Sequence, residues 1–253
     1  MRFDVVTLFP ELFAPFLEVG ITRRAYSSGQ VQVELCNPRD FATGNYRRVD
    51  DRPFGGGPGM VMSAEPLERA ILDIRARRGD AVPVVLFSPV GKSLNHALVE
   101  GWSASEGAIL VCGRYEGIDQ RFIDRYVDAQ ISLGDFVLSG GELAAMALLD
   151  AVARLQPGVL GDENSHHQDS FNPALDGLLD CPHYTRPEVW EGVSVPPILL
   201  SGHHENIEAW RREQRLTLTA QHRPDVLAAA QEAGRLSAKD ERVVSLIPAL
   251  GKK

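Results

Sequence analysis

Cysteine is scarce in this chain: Cys36, Cys112 and Cys181 are odd in number and far apart, which excludes both a disulfide framework and a C-x-x-C zinc site. Reduced, buried thiols are the expectation. Long hydrophobic runs are missing too, since no stretch approaches the roughly 18 apolar residues of a membrane span. No membrane association is expected. The opening Met1-Arg2-Phe3-Asp4 places an acid where a secretion signal carries a basic and then apolar stretch, so a cytoplasmic location is expected. Basic charge is in deficit. The formal net charge is −8, with 16 basic and 20 acidic residues in 1–160 and 10 and 14 in 161–253. That balance disfavours nonspecific nucleic-acid binding, which lives on lysine and arginine. Any RNA contact must rest on local clusters, at Arg23-Arg24, at Arg47-Arg48 with Arg52, and at Arg211-Arg212 with Arg215. Taken singly, such clusters are ordinarily solvated faces.

Several catalytic signatures are also missing. No G-K-[ST] follows the glycine-rich stretch at 55–59, and no G-x-G-x-x-G follows the first strand-like run, which argues against a P-loop and a dinucleotide fold. No G-x-S-x-G elbow supports a serine hydrolase. Six of the seven histidines lie beyond residue 160, including the pairs His166-His167 and His203-His204. Neighbouring histidines in a helix or strand point apart, and neither H-E-x-x-H nor H-x-x-x-H occurs, so no metal site is expected.

What is present is an ordinary globular composition, 253 residues with 44% apolar and 24% charged, enough for one large domain and a smaller one. Phe3 to Leu8, Val31 to Cys36, Val82 to Ser88, Ala108 to Cys112 and Ala129 to Leu133 are strand-like runs. Between them stand helix-like segments such as Ala64 to Arg77. This alternation predicts an α/β domain with a mostly parallel sheet over residues 1–160. Pro10 suits a first helical turn, and Ser139 with Glu142 has the spacing of a capping box opening an apolar helix from about Gly141 to Leu155. Residues 161–176 read as a polar linker, and 177–253 as a small, mainly α-helical C-terminal domain with helices near Glu205 to Thr217 and Asp225 to Glu232.

Two strand-like runs end in glycine-rich corners, Ile109 to Gly117 and Ile131 to Glu142. Glycine lets main chain approach a ligand and present bare N–H and C=O groups, so the pair predicts a pocket walled by backbone. A third cluster, Pro53-Phe54-Gly55-Gly56-Gly57-Pro58-Gly59, suits a turned loop that closes over a substrate.

Asp50 to Met60, Leu110 to Asp119, Gly134 to Glu142 and Leu179 to Pro187 together resemble the bacterial tRNA (guanine-N1)-methyltransferases of the SPOUT class, over Phe9 to about Arg212. The resemblance implies a trefoil-knotted α/β fold, a homodimer with active sites at the subunit interface, and S-adenosylmethionine as methyl donor. It also implies an RNA substrate, the anticodon stem-loop of tRNA, methylated on the guanosine just 3′ of the anticodon, generally with magnesium present. Periodicity alone points instead to an open doubly wound sheet, because knots are rare.

Carried onto this chain, the resemblance assigns the cofactor pocket to Leu86, Phe87, Ser88, Pro89 and Gly91, to Gly113, Tyr115 and Gly117, to Ile131, Ser132, Leu133, Gly134, Asp135, Phe136, Val137 and Leu138, and to Gly140 and Gly141. Backbone groups would read the adenine, with Leu133 and Leu138 as an apolar wall. Glu116 would face the sulfonium or the bound guanine. Asp169 would be the general base at N1, and Arg154 the cation that stabilises charge on O6. Arg186 and the cluster Arg211, Arg212 and Arg215 are expected at tRNA phosphates, while Trp210 is expected to pack with Ile207 rather than stack on a base. Two departures from the family stand out: Val90 replaces a usual glutamine, and the spacing from Asn172 to Gly177 is slightly long. A related enzyme acting on ribosomal RNA and a noncatalytic RNA- or nucleotide-binding module are the competing readings. Intact Glu116, Arg154 and Asp169 count against the second.

Overall fold

Continuous apolar strand-like runs, alternating with helix-like segments, decide the architecture. The computed structural model describes residues 1–161 and 165–248. In chain order the strands are β1 (Arg2–Val6), β2 (Gln32–Cys36), the two-residue β3 (Asp50–Asp51) and β4 (Val61–Met62), β5 (Val84–Ser93), β6 (Gly107–Val111) and β7 (Ala129–Ser132). β3 and β4 pair with each other, and Met62 of β4 makes an isolated parallel bridge to Ile118. The other five form one sheet in the order β2-β1-β6-β5-β7 with every pairing parallel. Its middle strands are covered on both faces, as parallel strands require: β6 is buried at every position. Phe3, Val5, Ala108 and Leu110 point to one face and pack with the helix α6 (Glu142–Arg154), whereas Val6, Ile109 and Val111 point to the other and pack with α3 (Ala64–Arg78). The period of two along each strand sorts these residues into two cores. Short helices α1 (Phe13–Glu18), α2 (Arg23–Ser27), α4 (His96–Ser103) and α5 (Gln120–Tyr126) complete this unit, which runs from Met1 to Glu163.

Two features of the sheet bear on function. Along the β5–β7 pairing, Phe87 and Lys92 both pair with Ile131, so residues 88–91 leave the ladder as an excursion and the strand then rejoins. Gly91 is needed at the return, because a Cβ there would fall against the backbone of Gln130 and Ile131. The second feature is Asp4, fully buried in β1. Its carboxylate accepts from Arg78 Nη1 at 2.8 Å and Arg2 Nη2 at 2.6 Å, and the Arg78 side chain is itself only 2% exposed. Asp4→Ala leaves that guanidinium with the partly exposed Asp80 as its only carboxylate, besides the Arg2 carbonyl, and is expected to cost about 3 kcal/mol of stability. A lowered urea midpoint with an unchanged slope is the measurement.

The second compact unit, Asn164–Lys253, begins with two 3-10 turns, Ser165–Gln168 and Pro173–Leu175. A hairpin of β8 (Val189–Trp190) and β9 (Val193–Ser194) follows, then α7 (His204–His222), α8 (Pro224–Glu232) and α9 (Ala238–Leu246). Leu178, Leu216, Leu227 and Ala230 form its core. α9 opens with a capping box between Ser237 and Asp240. Asp240 also accepts from Arg212 at 3.0 and 3.1 Å, and that guanidinium holds its carboxyl well below the usual carboxylate range.

The expected capping box at Ser139 and Glu142 does not form. Gly141, not Ser139, is the N-cap of α6 and has no side chain to cap with, and the Glu142 carboxylate turns inward to Thr7 and Arg114.

Candidate functional site

The two glycine corners meet. Gly141 N–H donates to Gly113 O at 3.0 Å, and Arg114 and Gly140 form an isolated antiparallel bridge. The contact needs glycine: a Cβ on Gly141 would lie 2.8 Å from Cys112 Cα, backbone against backbone. Around this junction lies a cavity of about 470 Å³, within the size range of small-ligand sites. Its walls are the middle of β5 with residues 88–90 of the excursion, residues 113–118 after β6, residues 130–134 at the end of β7, and residues 136–141 leading into α6. Gly134 adopts φ +151° and turns the chain tightly enough that a Cβ would reach the Phe136 ring at 3.1 Å.

Of the residues assigned to the cofactor pocket, all line this cavity except two. Asp135 is exposed outside it. Gly91 lines a neighbouring hollow with Lys92, Leu98 and Trp102, because its contact with Gln130 and Ile131 puts it on the far side of the excursion. Glu116 stands at the cavity wall, its N–H donating to Met60 O at 3.0 Å and its side chain lying against Gly59, where any Cβ would collide with it. The third glycine cluster is thus tied to the second wall, and Met62 N–H to Gly117 O at 2.8 Å adds to the tie. Gly55, Gly56, Gly57 and Gly59 all have positive φ, so the loop is a succession of left-handed turns.

Residues absent from the sequence assignment also line the cavity, among them Val90, Arg114, Gln130, Ile123 and Ala144. Arg114 and Val90 lie inside motifs already singled out. Ile123 and Ala144 sit on α5 and α6 and carry no signal that distinguishes them from core residues. Cys112 lies beneath the corners, fully buried, and burial together with the nearby Glu142 carboxylate pushes its thiol well above the ordinary range. It is held as an unreactive thiol.

Arg154 is the last residue of α6, half-buried, where a cation complements the helix dipole. Asp169 follows the turn Ser165–Gln168 in the second unit and is also half-buried. Its N–H donates to His166 O at 3.3 Å, and its carbonyl accepts from Asn172 N–H at 3.2 Å. Buried Asn172 clasps the segment, donating from its amide to His166 O at 2.9 Å and capping Ala174 N–H at 2.9 Å. The slightly long stretch from Asn172 to Gly177 is therefore a closed turn. Of the arginines expected at phosphates, Arg211 pairs with Glu208 at 2.6 Å and Arg212 with Asp176 and Asp240. Arg215, buried, pairs with Asp180 at 3.4 Å. Burial pushes Asp180 upward, but hydrogen bonds from Cys181 N–H and His183 and the charge of Arg215 outweigh it and hold the carboxyl low. Arg212 and Arg215 are thereby committed within their own unit. Trp210 is half-buried, its ring centroid 6.3 Å from that of Tyr184, and outside the core cluster.

No helix among the described residues is long and apolar enough to cross a membrane. A family model described as tRNA (Guanine-1)-methyltransferase TrmD matches residues 1–229. Curated relatives named tRNA (guanine-N(1)-)-methyltransferase include one from Paracidovorax citrulli, 68% identical over 99% of this chain and all of the relative. One from Albidiferax ferrireducens is 72% identical over 95% and 97% of the two chains. One from Bordetella parapertussis is 58% identical over 97% of each.

Proposed function

Because the chain belongs to the tRNA (guanine-1)-methyltransferase family and is a methyltransferase enzyme, we propose that it transfers the methyl group of S-adenosylmethionine to N1 of the guanosine immediately 3′ of the anticodon, tRNA position 37. What supports the reading most is that two glycine corners, separated in sequence, wall one cavity of about 470 Å³ with bare backbone and the Glu116 carboxylate. The cavity suits the donor. Glycines whose Cβ would strike backbone let main-chain groups come close enough to read an adenine edge, and Leu133 and Leu138 line the cavity as apolar surfaces for its ring. When bound, the donor supplies an electrophilic methyl group on a sulfonium. Glu116 places a carboxylate beside that cation or the guanine.

Asp169 takes the proton from guanine N1, and Arg154 meets the negative charge that builds on O6. In this reading the chain works as a homodimer with its active sites at the subunit interface, and the SPOUT knot lies in a methyltransferase domain of residues 1–160. Residues 161–176 are the linker and 177–253 the tRNA-binding domain, in a cytoplasmic enzyme. Arg186 and Arg211 remain the candidates for phosphate contacts: the pair of Arg211 with Glu208 is exposed to solvent, whereas Arg212 and Arg215 are held in more buried pairs with Asp240 and Asp180. Among the described residues no three His, Cys, Asp or Glu side chains are grouped to hold a metal ion. No step is assigned to a magnesium ion.

Methyl transfer to tRNA transcripts carrying G or A just 3′ of the anticodon tests the assignment. Only the G transcript is expected to be methylated; equal methylation of both overturns N1 of guanine as the acceptor.

A further inference from the structure

Glu142 is 1% exposed and lies directly behind the glycine junction, and it is not itself part of the cavity lining. Its Oε1 accepts from the Thr7 hydroxyl at 2.8 Å. Its Oε2 stands 2.9 Å from Arg114 Nε, an ion pair whose angle does not make a hydrogen bond. Arg114 lines the cavity, donates to Ser139 O at 3.2 Å, and spreads its guanidinium 4.5 Å over the Phe9 ring. Phe9 N–H in turn donates to Thr7 Oγ1 at 3.0 Å. Thr7, Glu142, Arg114 and Phe9 therefore form a closed circuit joining the end of β1, the start of α6 and both corners.

Gly140 shows what the circuit displaces. A Cβ there would collide with the Arg114 side chain and lie 2.5 Å from Glu142 Oε2, so the glycine leaves its side-chain space to the ion pair. A buried pair of this kind is poor evidence for stability, since well-packed apolar residues of similar volume often do as well. Its placement suggests another use. The start of α6 favours a negative charge, and a carboxylate anchored there holds Arg114 on one corner against Ser139 on the other.

We propose that Glu142, acting through Arg114, is a positioning residue that sets the separation of the two glycine corners and so tunes affinity for the methyl donor. The inference rests on the assignment of the cavity to S-adenosylmethionine. Glu142→Gln keeps the size and the capacity to accept from Thr7 but removes the charge that holds Arg114.

Steady-state methyl transfer, calorimetric binding of S-adenosylmethionine and thermal unfolding are measured on wild type and Glu142→Gln. The KM and Kd for the donor are expected to rise about tenfold, equivalent to about 1.4 kcal/mol, with KM for tRNA and kcat changed less than about twofold. Glu142→Asp, which keeps the charge, should recover part of the loss. Donor affinity unchanged in folded Glu142→Gln overturns the inference. Should that variant fail to fold, Thr7→Val, which replaces the hydroxyl that anchors Glu142 with a methyl of similar size, decides: weaker donor binding supports the role and wild-type binding overturns it. If wild type itself does not bind S-adenosylmethionine, the cavity assignment fails and the inference goes with it. If wild type binds and all variants bind equally, this inference alone fails.

Discussion

Asp169→Asn is expected to lower single-turnover methyl transfer by about a thousandfold, within the 10²–10⁴ that a positioned general base contributes, while donor binding measured by calorimetry stays within about twofold. The argument is chemical first. Guanine N1 carries a weakly acidic proton, and an amide cannot accept it, so the substitution removes the proton acceptor. Backbone and neighbouring side-chain hydrogen bonds help to hold the segment around the residue. Asp169 N–H and C=O bond to His166 and Asn172, and Ser170 Oγ accepts from Asp180 N–H at 2.9 Å. Asparagine should therefore leave this local structure in place. Near-normal turnover would refute Asp169 as the base. Arg154→Ala belongs to the same test: loss of one fixed stabiliser of developing charge typically lowers kcat by about 10²–10³.

The second large effect is expected at the glycine junction. Gly141→Ala places a Cβ where Cys112 Cα would be 2.8 Å away and Gly113 N 3.2 Å away. Backbone cannot rotate aside as a flexible side chain does, so the corners must separate and the Gly141 to Gly113 hydrogen bond lengthens or breaks. Overpacking of this kind costs about 1–3 kcal/mol, and donor affinity should fall at least about tenfold because the displaced atoms are the cavity wall. Gly101→Ala serves as control, since a Cβ there meets nothing within 4 Å and the residue lies on α4, away from the cavity. Equal donor affinity in Gly141→Ala and wild type would show that the junction does not shape the binding site. Calorimetry and thermal unfolding on both variants separate a local loss of affinity from a general loss of fold.

Much of the sheet is legible without coordinates. Five short apolar runs predict five parallel strands because strand formation and two-sided burial are recorded in each run's own composition and period. Boundaries shift where distant contacts intervene. The run predicted to end at Ser88 continues to Ser93, because β7 offers a second set of partners after the excursion at 88–91. The spacing of Ser139 and Glu142 misleads for a similar reason: a local capping pattern competes with a Thr7 partner 135 residues away, and the distant partner wins. The arginines of α7 look like an open basic face in sequence, and only the fold brings Asp176, Asp180 and Asp240 to them.

By itself the sequence determined what is local: apolar alternation, glycines at the ends of two strands, and motif lengths specific enough to place the chain in its family. Tertiary structure decided which corners share a wall, which carboxylates neutralise which guanidiniums, and that Glu142 faces inward. The reason is physical: conformational preference is written over a few neighbouring residues, whereas ion pairing and close backbone approach depend on groups the chain unites only on folding.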